Sequence, residues 1–383
     1  MTSSGTDETY QVCTRCVMDR MDSDTEFDEQ GICNHCRNYE KIVQRVLLPK
    51  AERPAALQRI VEMVKAQGQG AEYDCVIGVS GGVDSSYVAY LVKKLGLRPL
   101  AVHMDNGWDS ELAVSNIEKF LRKLDIDLQT VVLDWEEFRD LQLAFLKASV
   151  SDAEVPTDHA IWAVLYQAAA VRNIRYIILG SSTETESLAS GRWTYGIHDW
   201  KYIQSISGRF GTRPLRSFPH YSNLDKIYYR FVKRIKVFSI LDYISYNKAE
   251  AMGILENELE WRPYGGKHYE SIYTRFFQGY ILPRKFNMDK RKGHLSALVM
   301  SGQLRREDAL AELRKPIYSG YMFEEDMEYV LKKFELTEGE FEDMMQLPNR
   351  TFRDYPNSLA MQDFIRRLRV MAFADKLGFS PKL

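Results

Sequence analysis

The chain has no surplus of charge of either sign. Its 51 Lys and Arg stand against 53 Asp and Glu, a formal charge of −2 over 383 residues. That excludes a global basic field pulling it toward nucleic acid or anionic membrane. No apolar run reaches transmembrane length. The start, MTSSGTDETY, lacks the charged and apolar regions of a signal peptide. The expectation is a cytoplasmic protein with no membrane insertion and no nucleic-acid partner. Cysteine is scarce. Of five, Cys13, Cys16, Cys33 and Cys36 fall in two CxxC pairs and Cys75 stands alone. That usage excludes a disulfide framework and points to metal binding. What remains, 45% hydrophobic and 27% charged residues, is ordinary for a globular protein of two or three domains.

Periodicity divides the chain into three expected parts: 1–48, 49–260 and 261–383. Residues 10–40 carry the CxxC pairs with little core of their own. Pro54 to Ala66 reads as a helix, with Leu57, Ile60, Val61 and Val64 on one face. Apolar runs at 75–79, 100–104, 128–133 and 176–179 then read as strands, and 237–241 as a possible fifth. Helices are expected at 84–95, 110–124, 136–148 and 158–172. Strands alternating with helices imply a parallel sheet, covered on both faces where the strands are continuously apolar. Residues 187–235 are rich in aromatic and basic side chains and show no readable period. From 261 onward the chain reads as helices and loops.

The strongest local signal is Ser80-Gly81-Gly82-Val83-Asp84-Ser85-Ser86, between a strand and a helix. Two glycines permit a tight turn and close approach to a ligand. Backbone N–H groups and the serine hydroxyls then converge on an anion. Asp84 beside bare phosphate would repel it, so a bridging Mg²⁺ is implied. The loop lacks the Lys of a Walker A sequence. The plain alternative is a capped, Gly-rich strand-to-helix turn.

The segment SGGVDSS resembles the PP-loop of the ATP pyrophosphatase superfamily, seen in GMP, NAD and asparagine synthetases. The resemblance implies an adenine nucleotide α-hydrolase-like α/β fold, cleavage of ATP between its α- and β-phosphates, and transfer of AMP to an oxygen. It further implies an adenosine contact at Asp105 and site residues after Gly180. There Glu186 is the expected Mg²⁺ ligand and Glu184 the close alternative. CTRC and CNHC are sixteen residues apart, a spacing suited to a closed Cys₄ zinc site of structural role, with an iron–sulfur cluster as the alternative.

Longer stretches, among them HMDNGWDSELAVSNIEK, PTDHAIWA and WRPYGGKHYESIYTRFFQGYILPRKFNMDKRKGHLSALV, are together similar to the N-acetyl sugar amidotransferase family. That resemblance spans about residues 10–310. It implies ATP, Mg²⁺ and Zn²⁺ as cofactors, and a nucleotide sugar, such as a UDP-linked diacetamido sugar, as substrate. Ammonia must then be supplied. Residue 2 is Thr, four cysteines look committed to metal and Cys75 precedes the loop, so no glutaminase is expected in this chain. The resemblance implies a separate partner with glutaminase and cyclase-like subunits.

Asp158 and His159, in Pro156-Thr157-Asp158-His159, are candidates for taking the proton lost from ammonia, unless Thr157 or Asp158 is only a helix N-cap. Lys267 and His268 stand in a polar Gly-Gly loop suited to substrate or partner contact, unless it is only a surface turn. Arg284, Lys285, Lys290, Arg291 and Lys292 could face a sugar diphosphate or only solvent. The competing class is a PP-loop enzyme that thiolates tRNA, which the charge of −2 and the lack of a free cysteine pair argue against.

Overall fold

A computed structural model describes residues 10–361, apart from 189–192, 194, 267–268 and 319. After the knuckle, α1 (Asn34–Val46) and α2 (Arg53–Gln67) lead into the sheet unit. There β1 (Cys75–Gly78), α3 (Val83–Lys94), β2 (Pro99–Asp105), α4 (Glu111–Leu124) and β3 (Leu128–Val132) alternate. Next come α5 (Trp135–Lys147), α6 (Val155–Val171), β4 (Tyr176–Leu179), the one-turn α7 (Thr183–Glu186) and α8 (Trp200–Phe210). Helix α9 (Asn223–Ile227) continues as a π-helical turn, Tyr228–Val232, into β5 (Lys236–Ser239). Helix α10 (Lys248–Leu259) closes that unit. The rest is helical: α11 (Ile272–Phe276), α12 (Leu282–Phe286), α13 (Lys290–Met300), α14 (Arg306–Leu313), α15 (Gly320–Phe334) and α16 (Glu338–Gln346). No helix among the described residues is long and apolar enough to cross a membrane.

The five strands are parallel, in the order β3-β2-β1-β4-β5. Apolar side chains of β1, β2 and β4 meet α2, α3, α4 and α10 on one face. The other face is covered by α6 and by Tyr221, Tyr229 and Ile235. Strand β3 departs from the fully buried pattern. It is an edge strand with alternating exposure, so only every second residue needs to be apolar. Chain direction reverses on either side of β1, which puts a topological switch point at the carboxyl ends of β1 and β4. Open α/β sheets bind ligands there.

Capping explains the helix starts. Ser110 accepts from Ala113 N and starts α4; Asp134 accepts from Glu137 N and starts α5. Helix α6 begins earlier than the sequence reading, with Pro156 in its first turn and Glu154 before it. Thr157 and Asp158 are therefore inside the helix, not caps. The unreadable stretch 187–235 supplies α8 and α9, and a core rich in aromatic side chains joins α5 and α8 to α11, α15 and α16.

The Cys₄ segment has no core of its own, as expected. Its four cysteines pack with Leu188, Trp193 and Ala297. Arg306 donates to the carbonyls of Cys13 (2.6 Å) and Cys16 (3.0 Å), and Val17 N donates to Ser296 Oγ at 3.2 Å. Lys292 pairs with buried Asp19 at 2.5 Å.

Candidate active site at the phosphate loop

Strand β1 delivers the chain into the loop and α3 carries it away. Gly81 has φ +81°, a left-handed conformation. A Cβ there would lie 2.8 Å from Tyr264 Oη and 2.9 Å from Ala113 O, so both space and conformation require glycine. The Gly81 carbonyl accepts from Trp261 Nε1 (2.8 Å), Tyr264 Oη (2.8 Å) and Ser86 Oγ (3.3 Å). Ser80 N donates to Ser85 Oγ at 3.2 Å, and Ser85 Oγ donates to Gly82 O at 3.1 Å. Ser80 is exposed at the loop surface and Ser85 is half-buried. Ser86 is fully buried and bonded to the loop's own carbonyl, so it braces the loop and does not face a phosphate. That corrects the expectation for Ser86.

The acidic side of the site is built by β4, α7 and the chain after β5. Gly180 lies against the start of α3, where a Cβ would sit 3.0 Å from Asp84 C and Ser85 N. Tyr246 Oη donates to Asp84 Oδ1. Burial pushes that phenol far above its usual range, and the charges of Asp84 and Glu186 add to the rise. Asp84 and Glu186 therefore share one neighbour. Glu184 does not serve as the alternative, because its carboxylate pairs at 2.9 Å with Arg53, which is 5% exposed. Tyr39 Oη of α1 donates to the Glu184 carbonyl at 2.8 Å, and Thr183 N and Oγ1 donate to Asp242 at 2.7 and 2.8 Å. These bonds fix the loop that carries Glu186.

Two more features escaped the sequence reading. His103 of β2 is buried between Val79 O (2.9 Å) and Asp109 Oδ2 (3.0 Å). Both partners are acceptors, so the ring satisfies both only when both nitrogens carry protons. Burial opposes that charge, yet the bond to Asp109, its charge, Val79 O and Asp105 outweigh it and hold the ring above the usual imidazole range. Asp109 and Ser271 form an antiparallel bridge, flanked by Ser110 N to Glu270 O (2.8 Å) and Ile272 N to Trp108 O (2.9 Å). This pairing seats Glu270 on the loop, with Oε1 3.3 Å from where a Gly82 Cβ would be. Asp105, at the end of β2, accepts from Gly107 N at 2.8 Å in the adjoining turn.

At the start of α6 three carboxylates gather. Burial first, then the charges of Asp152 and Glu154, push Asp158 up to about 8, with Lys290 opposing. Asp152 rises to about 6, chiefly by burial. His159 is a different case. Its Nδ1 meets Ile197 O at 2.7 Å, its Nε2 accepts from Tyr221 N at 3.3 Å, and its ring stacks on Tyr221 at 4.4 Å. Burial holds it down at about 3. Both nitrogens serve the backbone, so His159 is a neutral scaffold with no nitrogen left to move a proton. The cations at 284–292, open in the sequence between a sugar diphosphate and solvent, are mostly engaged within the protein. Lys285 caps the end of α16 through three carbonyls, Arg291 pairs with Asp289 and Lys292 with Asp19. Lys267 and His268 lie outside the described residues.

The four Cys Sγ atoms lie within 4.8 Å of one another, all buried. Contacts of 3.6 and 3.8 Å match the edge of about 3.8 Å expected for four sulfurs around one zinc ion. Backbone N–H groups of Arg15, Cys16, Met18, Cys33 and Cys36 point at the sulfurs at 3.3–3.4 Å, as suits thiolates. The donor set fits a closed metal site, such as one for zinc.

Comparison with known proteins agrees with this geometry. The family model for NAD synthase matches residues 56–194. The model described as LPS biosynthesis protein WbpG-like, C-terminal domain, matches residues 270–369. No curated protein matches the chain. A predicted subunit of tRNA methyltransferase from Methanocaldococcus jannaschii is 15% identical, over 48% of this chain and 75% of that one, with a TM-score of 0.25. An NH3-dependent NAD synthetase from Campylobacter jejuni is 14% identical, over 56% and 86%, with a TM-score of 0.28. At these TM-scores neither structure carries weight for this chain. The two family matches do: this is a WbpG-like, ATP-using enzyme of the amidotransferase type, within the PP-loop ATP pyrophosphatase superfamily.

Proposed function

We propose that the chain adenylates the carbonyl oxygen of a sugar N-acetyl group and lets ammonia replace AMP. The product is an acetamidino sugar for a bacterial surface polysaccharide, such as O-antigen, or for a flagellin glycan. The observation that carries this reading is the pairing of residues 108–110 with 270–272, which seats Glu270 on Gly82. There the segment matching WbpG-like proteins of LPS biosynthesis meets the phosphate loop.

The acetamido oxygen attacks the α-phosphorus of ATP, and the bond to the bridging oxygen breaks to release pyrophosphate. Ammonia adds to the imidate carbon, the carbon–oxygen bond breaks and AMP leaves. The chain's part is to position and to hold charge. Ser80, Gly81, Gly82 and Ser85 cradle the phosphates, while Asp105 and Gly180 flank the adenosine. Asp84 and Glu186 would hold Mg²⁺, which neutralises charge on the departing pyrophosphate. Asp158 accepts the proton that nitrogen loses. Lys267 and His268 are assigned to the sugar nucleotide on their sequence alone.

Ammonia comes from a separate glutaminase with a cyclase-like subunit. Four cysteines converge on one buried centre, and Cys75 is buried in β1 with its thiol pushed up by burial. No cysteine is exposed to act as a glutaminase nucleophile or to carry sulfur to a tRNA.

The test incubates the protein with ATP, Mg²⁺, ammonium and UDP-linked diacetamido sugars. Mass spectrometry should find a product lighter by the difference between O and NH, with equal AMP and pyrophosphate. Thiolation of tRNA with no sugar product would sink the reading. Asp84→Asn should slow pyrophosphate release by roughly 10² or more, with the knuckle's metal content unchanged.

A further inference from the structure

Between 223 and 232, Leu224, Ile227, Tyr228, Phe231 and Val232 recur at i, i+3, i+4, i+7 and i+8. This spacing marks the face a helix buries. Here the pattern is inverted. Leu224 is 77% exposed, Ile227 54%, Tyr228 43%, Phe231 57% and Val232 66%. The helix instead turns Tyr229 inward, stacked on Tyr166 of α6 at 5.0 Å. Val171, at the end of α6, extends the apolar surface at 77% exposure. Nearby, Lys233 Nζ donates to Asn173 Oδ1 at 3.0 Å, which ties the two helix ends together.

The surroundings of the stripe are basic. Arg172, Arg230, Arg234 and Lys236 are all exposed. Asp225 is the only acid between 223 and 236, and its carboxylate is occupied by Ser222 N and Oγ in a capping box. A chain of net charge −2 thus carries one face that is apolar along its length and cationic around it. Two copies meeting here would bring like charges together. An anionic lipid surface satisfies both features, because aliphatic side chains enter the acyl boundary while Lys and Arg meet the headgroups. We infer that the face formed by residues 223–236 and the end of α6 docks the protein peripherally on an anionic lipid surface. This inference is independent of the reaction proposed above.

Co-sedimentation of the full chain with vesicles tests it. The probes are phosphatidylcholine alone and phosphatidylcholine mixed with phosphatidylglycerol. Pelleting should be several-fold greater with the anionic vesicles. Leu224→Glu with Val232→Glu should abolish it, leaving the melting temperature and pyrophosphate release intact. Arg230→Ser with Arg234→Ser should remove the preference for anionic lipid. Absence of pelleting, or pelleting unchanged by the glutamates, overturns the inference. So does a concentration-dependent dimer that the same glutamates dissociate, which would assign the stripe to a second copy.

Discussion

Asp158, itself half-buried, sits beside buried Asp152 and Glu154 with one opposing cation, Lys290. Carboxylates held close in a dry environment cannot all ionise freely, so one of them keeps its proton near neutrality. A base that takes a proton from nitrogen needs such a pKa. At a fixed concentration of free ammonia, the ammonia-dependent rate should rise with pH and level off above about 8. Asp158→Asn should be slower by about 10²–10⁴ and flat across that range. A wild-type profile that is also flat would remove Asp158 from the proton transfer. His103 makes a prediction of the opposite sign. Its folded pKa is raised, so its stabilising contribution is complete below the ordinary imidazole value and is lost as pH rises through the folded value. Resistance to denaturant should therefore decline from about pH 6.5 upward. His103→Asn should flatten that decline. Neither environment was legible in the sequence. The PTDH run stands out by its residue types and the His in HMDNGW does not, yet for both the decisive terms are burial and the folded placement of Asp152, Glu154 and Asp109, which spacing alone does not announce. His159 shows the same limit, because its partners at Ile197 and Tyr221 are 38 and 62 residues away.

At the scale of elements, local physics was readable. Apolar runs of four to seven residues followed by amphipathic stretches became parallel strands and covering helices, because burial on both faces leaves a continuous apolar signature. The phosphate loop was readable because its glycines meet a backbone demand. What was hidden is the clamp over it. Trp261 and Tyr264 reach Gly81 O across 180 and 183 residues, and no local period announces that contact. Basic residues misled for a related reason. A Lys that caps α16, as Lys285 does, and one that awaits an anion look alike in sequence. The clamp gives its own prediction. Trp261→Phe removes one donor from Gly81 O and leaves Tyr264 and Ser86, so the loss should be modest, about 0.5–1.5 kcal/mol. Adding Tyr264→Phe should cost more than the two single losses combined, since the carbonyl would keep only Ser86. Titration with Mg·ATP should show affinity falling stepwise. Unchanged affinity in the double variant would mean that the clamp does not shape the loop.

Across the whole molecule, the N-terminal knuckle is less a separate domain than a brace. Its cysteines pack against Leu188, Trp193 and Ala297, Arg306 holds its carbonyls, and α1, which follows it, holds the Glu184 carbonyl through Tyr39. CxxC spacing made the four-cysteine cluster legible, but not what it supports, because the supports lie up to 293 residues away. Four buried sulfurs with scant core around them would rely on a bound ion for folding energy, as structural zinc sites do. Stripping the metal with a chelator, or replacing Cys33 and Cys36 by Ser, should first expose residues 10–46 to protease while the parallel sheet keeps its circular dichroism. Because that segment also fixes the loop bearing Glu186, affinity for Mg·ATP should fall in the same preparation. Tyr39→Phe, with its metal retained, should reproduce a milder part of that fall. If the metal-free protein resists protease in 10–46 and binds Mg·ATP as before, the cysteines neither fold the knuckle nor reach the site through α1.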